Sequence, residues 1–198
     1  MKRASVFLFG SLICASPANA QDSVPWSNVD GWSVLIDPSM GNACYVTTVY
    51  ELGTILRLGF DFSREPKSIY LALGDNRWKS LEPGKDYPIQ IQFDRNPVWD
   101  ATARAVDFSG TNFLAVSTTD FNFANEFSRK LAMRVTFNGR QVAGLRLKGS
   151  ARAVAEMLKC QQTVNDTFSA QKPPRAPRGD DPFQAAPDAR NANDPFEL

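Results

Sequence analysis

Apolar and polar residues alternate with a period of two along most of the chain. The alternating runs are short, rich in β-branched and aromatic residues, and bounded by Pro, Gly, Asn or Asp, which is typical of antiparallel strands. The predicted strands are residues 32–36, 44–50, 54–60, 69–73, 89–93, 102–106, 113–116, 133–137 and 142–147. Between the last two runs, Asn138 and Gly139 predict a tight hairpin turn, because this dipeptide tolerates positive φ at both positions.

Two segments have helical spacing instead. In residues 120–131, Phe123, Phe127 and Leu131 are four apart, and Asp120 is suited to cap the helix. The second helix is predicted to begin at Ser150, with an apolar stripe that reaches Cys160 and lies on the sheet. The pattern therefore predicts a mainly β, α+β protein. We expect an antiparallel β-sandwich or partly open barrel with one or two packed helices.

The first 20 residues have the three parts of a secretory signal peptide. Lys2 and Arg3 precede an apolar run at residues 6–15, and Ala18-Asn19-Ala20 is a small-x-small cleavage site. The apolar run is well short of the about 20 residues that span a bilayer. We expect cleavage after Ala20 and a periplasmic or secreted protein with no transmembrane segment after signal removal.

Composition divides the remaining chain in two. Residues 21–168 are predicted to form one β-rich globular domain, whereas residues 169–198 are rich in Pro, Ala, Asp, Asn and Arg and predict a disordered tail. Within the tail, Asp-Pro-Phe occurs twice, ending at Phe183 and at Phe196. Two such motifs on a short linker would gain avidity as docking sites. A repeat that arose by drift, with no role in docking, is the alternative.

Removal of the signal peptide changes the cysteine count and the charge. The chain has three cysteines, and loss of Cys14 leaves Cys44 and Cys160, which an oxidising compartment would join in a single disulfide between helix and sheet. Two separate buried thiols are the alternative. Loss of Lys2 and Arg3 changes the formal charge from +1 to −1. This balance favours neither nucleic acid nor a polybasic membrane surface.

Histidine is absent from all 198 residues. Its absence excludes Ser-His-Asp and Cys-His catalysis and removes the commonest metal ligand. We therefore predict no cofactor, no metal and no enzymatic activity. A histidine-free polysaccharide hydrolase would need two convergent carboxylates. The candidates are Asp61, Asp86, Asp94 and Asp107, although acidic residues at strand ends are typical of turns.

Exposed aromatic side chains are the remaining candidates for function. Trp78 and Trp99 have polar neighbours, and together with Arg77 and Tyr87 they form a predicted binding surface. Packing of both tryptophans at the edge of the core is the alternative. The loops at residues 76–80 and 96–100 would also suit an inhibitor that plugs the cleft of an enzyme.

Several segments carry a resemblance to known proteins. Gly31-Trp32-Ser33, an early cysteine, the Leu-Arg-Leu-Gly-Phe-Asp strand at residues 56–61 and the closing segment at residues 147–160 resemble small uncharacterised periplasmic proteins of alphaproteobacteria. More distantly, the chain is similar to the invasion-associated locus B family of secreted β-rich proteins, whose members are linked to host-cell entry. The resemblance implies compartment and fold, because no matched segment is a catalytic signature.

Together these observations predict a non-catalytic exported protein that acts as a binding or interaction module of the cell envelope. Its expected partner is an envelope protein or a cell-wall polymer. Two alternatives stay open: an inhibitor or accessory subunit of an envelope enzyme, and a carboxylate-dependent polysaccharide hydrolase.

Overall fold

The computed structural model describes residues 23–63, 65–108 and 110–170. The predicted signal peptide, its cleavage site and the tail beyond Ala170, including Phe183 and Phe196, lie outside these residues. The described residues form ten strands, a short 3-10 helix (Pro38–Met40) and two α-helices. The strands are β1 (Val24–Val29), β2 (Trp32–Asp37), β3 (Ala43–Val49), β4 (Ile55–Asp61), β5 (Ser68–Gly74), β6 (Asp86–Phe93), β7 (Trp99–Phe108), β8 (Thr111–Thr118), β9 (Ala132–Phe137) and β10 (Arg140–Arg146). The helices are α1 (Asn122–Arg129) and α2 (Ser150–Ala170).

All ten strands belong to one antiparallel sheet, in the order β1-β2-β3-β4-β5-β8-β7-β6-β9-β10. The first five strands form a meander. Strand β8 then pairs with β5, and β7 and β6 follow outward from it. The sheet is open and sandwich-like, which confirms the predicted mainly β class with two packed helices.

One face of the sheet carries the main core. Side chains from both halves of the sheet and from both helices form a single buried cluster, with Trp32, Phe93 and Phe127 among its large members. Trp32 contacts Phe127 edge to face, and its indole nitrogen donates a hydrogen bond to the Lys148 carbonyl (2.9 Å). The fully apolar face of β2 is thus tied to the start of α2. We call this the inner face of the sheet.

The disulfide between Cys44 and Cys160 is present and joins β3 to α2. The two Cα atoms are 6.2 Å apart, within the usual range for a disulfide. Beside it, the backbone N–H of Cys44 donates to the side-chain oxygen of Gln161 (2.7 Å). The predicted connection between helix and sheet is therefore confirmed, and it is reinforced by a buried hydrogen bond.

Both predicted helices form, with differences at their ends. The carboxylate of Asp120 accepts from the N–H of Asn122, the first residue of α1 (2.9 Å). The Ser150 hydroxyl, in contrast, donates to the Phe127 carbonyl (3.1 Å) and so links α2 to the end of α1. Helix α2 continues beyond Cys160 to Ala170, and its buried Val164 shows that the helix still packs on the core there. No helix among the described residues is long and apolar enough to span a bilayer.

The predicted hairpin joins β9 to β10 through Asn138 and Gly139, whose φ angles are 48° and 72°. Positive φ at both turn residues is the geometry that this dipeptide favours. Strand β1 was not predicted, and β7 is longer than its alternating run, because it begins at Trp99. Trp99 and Asp100, which the sequence placed in a loop or at a strand edge, are the first two residues of β7.

Candidate ligand-binding cleft

Three of the four predicted binding residues lie together. Arg77, Trp78 and Tyr87 line a crevice of about 200 Å³ between the β5–β6 loop and the β9–β10 hairpin. The Arg77 guanidinium, however, is bound to Asp75, a buried carboxylate, through two hydrogen bonds of 2.8 and 2.6 Å. These hydrogen bonds hold the pKa of Asp75 well below its usual range, although burial opposes the change. Arg77 thus anchors its own loop.

Trp99 lies elsewhere, against α1. Its ring contacts Phe123 edge to face at 5.4 Å, and its indole nitrogen donates to Glu126 (3.0 Å). The side chain of Asn96 donates to the same carboxylate (3.1 Å). The predicted surface is therefore divided: the structure brings Trp78, Tyr87 and Arg77 together and places Trp99 on a different part of the molecule.

A larger and more enclosed site lies on the opposite face of the sheet from the main core. It is a cleft of about 380 Å³ over strands β4, β5, β8 and β7, which we call the outer-face cleft. A second buried cluster, separate from the main core, forms its floor and includes Tyr70, Ala72 and Phe113. Its volume is within the range of small-molecule sites. Its lining comprises Asp37, Met40, Arg57, Asp61, Ser68, Tyr70, Ala72, Arg104, Val106, Asp107, Phe108, Phe113, Ala115 and Ser117.

The register of four strands explains why the cleft lies here. Arg57 is opposite Ala72, Ala72 is opposite Ala115, and Ala115 is opposite Arg104. With strands about 4.8 Å apart, the two arginine Cα atoms lie about 14 Å apart on the same face. Because the two alanine side chains between them are small, they leave open space above the sheet, and this space is the cleft.

Two glycines shape the walls of the cleft. At Gly74, an added Cβ would lie 2.5 Å from the Phe113 ring, so that ring lies directly on the backbone of β5. At Gly59, an added Cβ would collide with Tyr45 and come within 3.1 Å of the Tyr70 ring. The Tyr70 and Phe113 rings can therefore pack against the backbone of β4 and β5. This packing buries them although neither of the two described α-helices covers this face.

Arg57 is the polar centre of the cleft. Its guanidinium carbon lies 4.6 Å from the centre of the Tyr45 ring and 5.3 Å from the centre of the Phe108 ring. One guanidinium nitrogen donates to the Tyr45 hydroxyl (3.1 Å). The ion pairs found among the described residues do not include Arg57, whereas Arg104 pairs with Asp86 (3.3 Å). Arg57 is therefore half-buried and positively charged, and it forms no ion pair with a carboxylate among the described residues.

Tyr70 adds a hydroxyl group to the same space. Burial raises the pKa of Tyr70 well above its usual value, and the nearby carboxylates of Asp37 and Asp61 act in the same direction, while Arg57 opposes them. The phenol therefore stays protonated at neutral pH. Its hydroxyl makes no hydrogen bond to another described side chain or backbone group, so it is available as a donor in the cleft.

The carboxylates at the cleft are engaged in turns. Asp37 accepts from the backbone N–H of Ser39 (2.9 Å), and Asp61 accepts from that of Ser63 (2.9 Å). Asp107 accepts from the backbone N–H of Gly110 (3.1 Å). This is the ordinary role of acidic residues that follow a strand.

The other two carboxylates considered for hydrolysis do not line the cleft. Asp94 accepts from the backbone N–H groups of Leu131 (3.1 Å) and Ala132 (2.9 Å), and Asp86 forms the exposed ion pair with Arg104. Asp61 and Asp107 are therefore the two hydrolase candidates that share one site. Among the described residues, no cluster of three or more acidic or cysteine side chains is arranged to hold a metal ion.

Comparisons with known proteins place the chain in no established group. No protein-family model matches it, and no curated protein matches it. Among solved structures, it is similar to the crystal structure of invasion associated protein B from Bartonella henselae. The two share 10% sequence identity with a TM-score of 0.49 over 72% of this chain and 99% of that one. A similarity at this level assigns neither family nor function.

Sequence reasoning missed Arg57 as a functional residue. The pattern that could have indicated it is in β4 and β5, where both alternating sets of positions are largely apolar, as in Ile69-Tyr70-Leu71-Ala72-Leu73. A strand of an antiparallel sheet that is apolar on both faces indicates that the second face is also covered or occupied. Arg57 is a charged residue at an outward-facing position of such a strand, β4.

Proposed function

We propose that the protein is a non-catalytic exported protein of the cell envelope that binds a small ligand through the outer-face cleft. One observation carries the proposal: the floor of the cleft is a buried apolar cluster that neither helix covers. An apolar ligand placed on this floor would displace water chiefly from the more exposed Phe108 and Val106 beside it, with a gain of about 25 cal/mol for each Å² removed from water.

Export is supported by the disulfide. A bond between Cys44 and Cys160 forms and persists in oxidising compartments, such as the periplasm, and is uncommon in the cytosol of mesophiles. It agrees with the signal peptide predicted for residues 1–20. N-terminal sequencing of the protein recovered from the envelope should begin at Gln21, and recovery with an intact Met1 would contradict the proposal.

The shape of the site favours a small ligand over the cell-wall polymer considered from sequence. A polysaccharide would need many hydrogen-bonding side chains along an open groove. The outer-face cleft has polar residues at its edges, but most of the surface that it exposes is apolar and includes Met40, Val106 and Phe108. An apolar chain or ring fits this lining better.

Binding can be tested with N-phenyl-1-naphthylamine, a neutral fluorophore whose emission rises in apolar surroundings. The purified protein should increase its fluorescence in a saturable manner. Ala115→Trp places a large ring on the floor and should abolish the increase. Ala132→Trp is the matched control, because Ala132 lies exposed in β9 and outside the cleft, and it should bind like the unaltered protein.

Two results would contradict the proposal. One is the absence of saturable fluorophore binding to the unaltered protein. The other is equal binding by the Ala115→Trp and Ala132→Trp variants, with both shown to be folded by circular dichroism.

A second function is favoured by one observation, the presence of Asp61 and Asp107 at the same cleft. Two carboxylates could act as acid and nucleophile in glycoside hydrolysis if they were held about 5 to 10 Å apart. Against this, both carboxylates accept backbone hydrogen bonds in turns. Hydrolysis of a cell-wall polysaccharide that is lost in both Asp61→Asn and Asp107→Asn would establish the hydrolase and exclude the non-catalytic proposal.

A further inference from the structure

The charge distribution of the outer-face cleft indicates which end of a ligand binds where. Asp37 and Asp61 line the cleft, and Asp61 lies four residues from Arg57 along β4, or about 13 Å in an extended strand. Arg57 lies between the rings of Tyr45 and Phe108. The cleft therefore has a negative part and a positive part over a shared apolar floor. A ligand with one charged group would bind in a single orientation.

Arg57 is preorganised to receive an anion. Its guanidinium contacts the Tyr45 and Phe108 rings, and the Tyr45 hydroxyl accepts a hydrogen bond from one of its five N–H groups. An arginine that lies on aromatic rings is already partly desolvated, which strengthens a charge-assisted hydrogen bond to a carboxylate. Its remaining donors match the planar, two-oxygen geometry of that group.

Arg104 differs from Arg57 although it lines the same cleft. It is exposed, and it pairs with the equally exposed Asp86. Its charge is therefore already balanced and screened by water. The two arginines provide a natural comparison: the same residue type in the same cleft, one paired with a carboxylate and one not.

We propose that the ligand of the outer-face cleft is a long-chain carboxylate, with its carboxylate bound by Arg57 and its hydrocarbon chain on the floor formed by Tyr70, Ala72 and Phe113. This inference rests on the proposed function, because it names the ligand class of the same cleft. Asp37 in the lining opposes the reverse orientation by repulsion. It also opposes a ligand that carries a second anionic group at its far end.

The experiment is displacement of N-phenyl-1-naphthylamine by three amphiphiles with the same twelve-carbon chain: dodecanoate, dodecan-1-ol and dodecyltrimethylammonium. All three are used below the concentrations at which they form micelles or separate from solution. For the unaltered protein, dodecanoate should displace the fluorophore at a concentration at least tenfold lower than dodecan-1-ol. Dodecyltrimethylammonium should also displace it less well than dodecanoate, because it has no anionic group for Arg57 to bind.

The Arg57→Met variant removes the charge and keeps an unbranched apolar side chain in place. It should still bind the fluorophore, and its preference for dodecanoate over dodecan-1-ol should fall to less than twofold. Arg104→Met is the matched control and should keep at least a fivefold preference. If Arg57→Met does not fold, Phe108→Ala replaces it as the test, since Phe108 is half exposed and its loss should weaken the preference by releasing the guanidinium.

The outcomes separate this inference from the proposed function. Fluorophore binding with equal displacement by dodecanoate and dodecan-1-ol would overturn the carboxylate inference and leave the apolar binding function in place. Preferential displacement by dodecyltrimethylammonium would likewise overturn it, because it would assign recognition to Asp37 and Asp61. No binding of fluorophore and no heat of binding with dodecanoate would overturn both.

Discussion

Opening the disulfide between Cys44 and Cys160 should lower the free energy of unfolding by about 5 kcal/mol. The two residues are 116 positions apart, so the bond closes a loop that includes most of the sheet. In the chain-entropy model, a loop of this length costs the unfolded chain about 5 kcal/mol of conformational freedom at 25 °C. For a domain of about 150 residues, that loss corresponds to a fall in Tm of about 10 to 20 °C.

The assay is urea unfolding of the oxidised and reduced forms of the same protein, followed by circular dichroism. Reduction removes no buried heavy atoms, so it isolates the effect of the link better than replacement of both cysteines. The urea dependence of the unfolding free energy should also become steeper, because the unlinked chain exposes more surface when unfolded. The double variant Cys44→Ala/Cys160→Ala provides a second measurement without reductant.

The reasoning would be refuted if the reduced protein were within about 1 kcal/mol of the oxidised one, a difference no larger than that of one ordinary hydrogen bond. That result would have one of two explanations. Either contacts between α2 and the sheet persist in the unfolded chain, or those contacts, including the hydrogen bond from Cys44 to Gln161, hold α2 on the sheet without the disulfide. Gln161→Ala tests that hydrogen bond separately. It should cost about 1 to 3 kcal/mol in both redox states, because it leaves the buried N–H of Cys44 without a partner.

Three further predictions concern single residues. Asp75→Asn should destabilise the protein by about 1 to 3 kcal/mol at pH 7, because it weakens the buried contact with Arg77. Because the pKa of Asp75 is lowered in the folded state, its stabilisation is complete above its unfolded pKa of about 4 and is lost as the pH falls below that value. Urea unfolding between pH 7 and pH 2.5 should therefore show a shallower pH dependence in the variant, and identical slopes would contradict this. Gly139→Ala should cost about 1 kcal/mol in thermal unfolding, entirely from its φ of 72°, since nothing lies within 4 Å of the added methyl group; no change in Tm would contradict it. Gly59→Ala should cost about 1 to 3 kcal/mol and weaken fluorophore binding, because the methyl group displaces Tyr45; a stable variant with unaltered binding would show that the ring does not shape the cleft.

Local rules account for the parts of the fold that sequence predicted. The β9–β10 hairpin follows from two adjacent residues, and the helices follow from apolar spacing within about ten residues. The disulfide was predicted because export leaves two cysteines and hence one intramolecular connection. In each case the information lies within a short segment or in a count of residues.

Strand β1 could not be predicted by the same rules. Pro25 interrupts its ladder, and most of its side chains are exposed, so it has no alternating pattern. It exists because β2 offers an unpaired edge and because Trp26 donates a hydrogen bond to Glu156 on α2. Both partners lie outside the strand, and Glu156 is 130 residues away.

The cleft was missed for a related reason. Arg57, Ala72, Ala115 and Arg104 form one row only because β8 pairs with β5 and β7 lies beyond it. Nothing in the alternation of single strands specifies that order. Tryptophans with polar neighbours can be identified from sequence as candidate binding residues. A row of two alanines between two arginines can be identified only when the strand order is known.

The outer face also explains why the sequence keeps small residues in β4 and β5. A sheet whose inner face is closed by α2 needs no second buried surface, yet Tyr45, Tyr70 and Phe113 are each less than a tenth exposed on the outer face. Gly59 and Gly74 permit that burial by letting the rings lie on the backbone, and each costs strand stability, because glycine loses more conformational freedom on folding than other residues. The ring packing leaves a low, apolar floor around an arginine without a carboxylate partner among the described residues, and this is the space that the proposed ligand would fill.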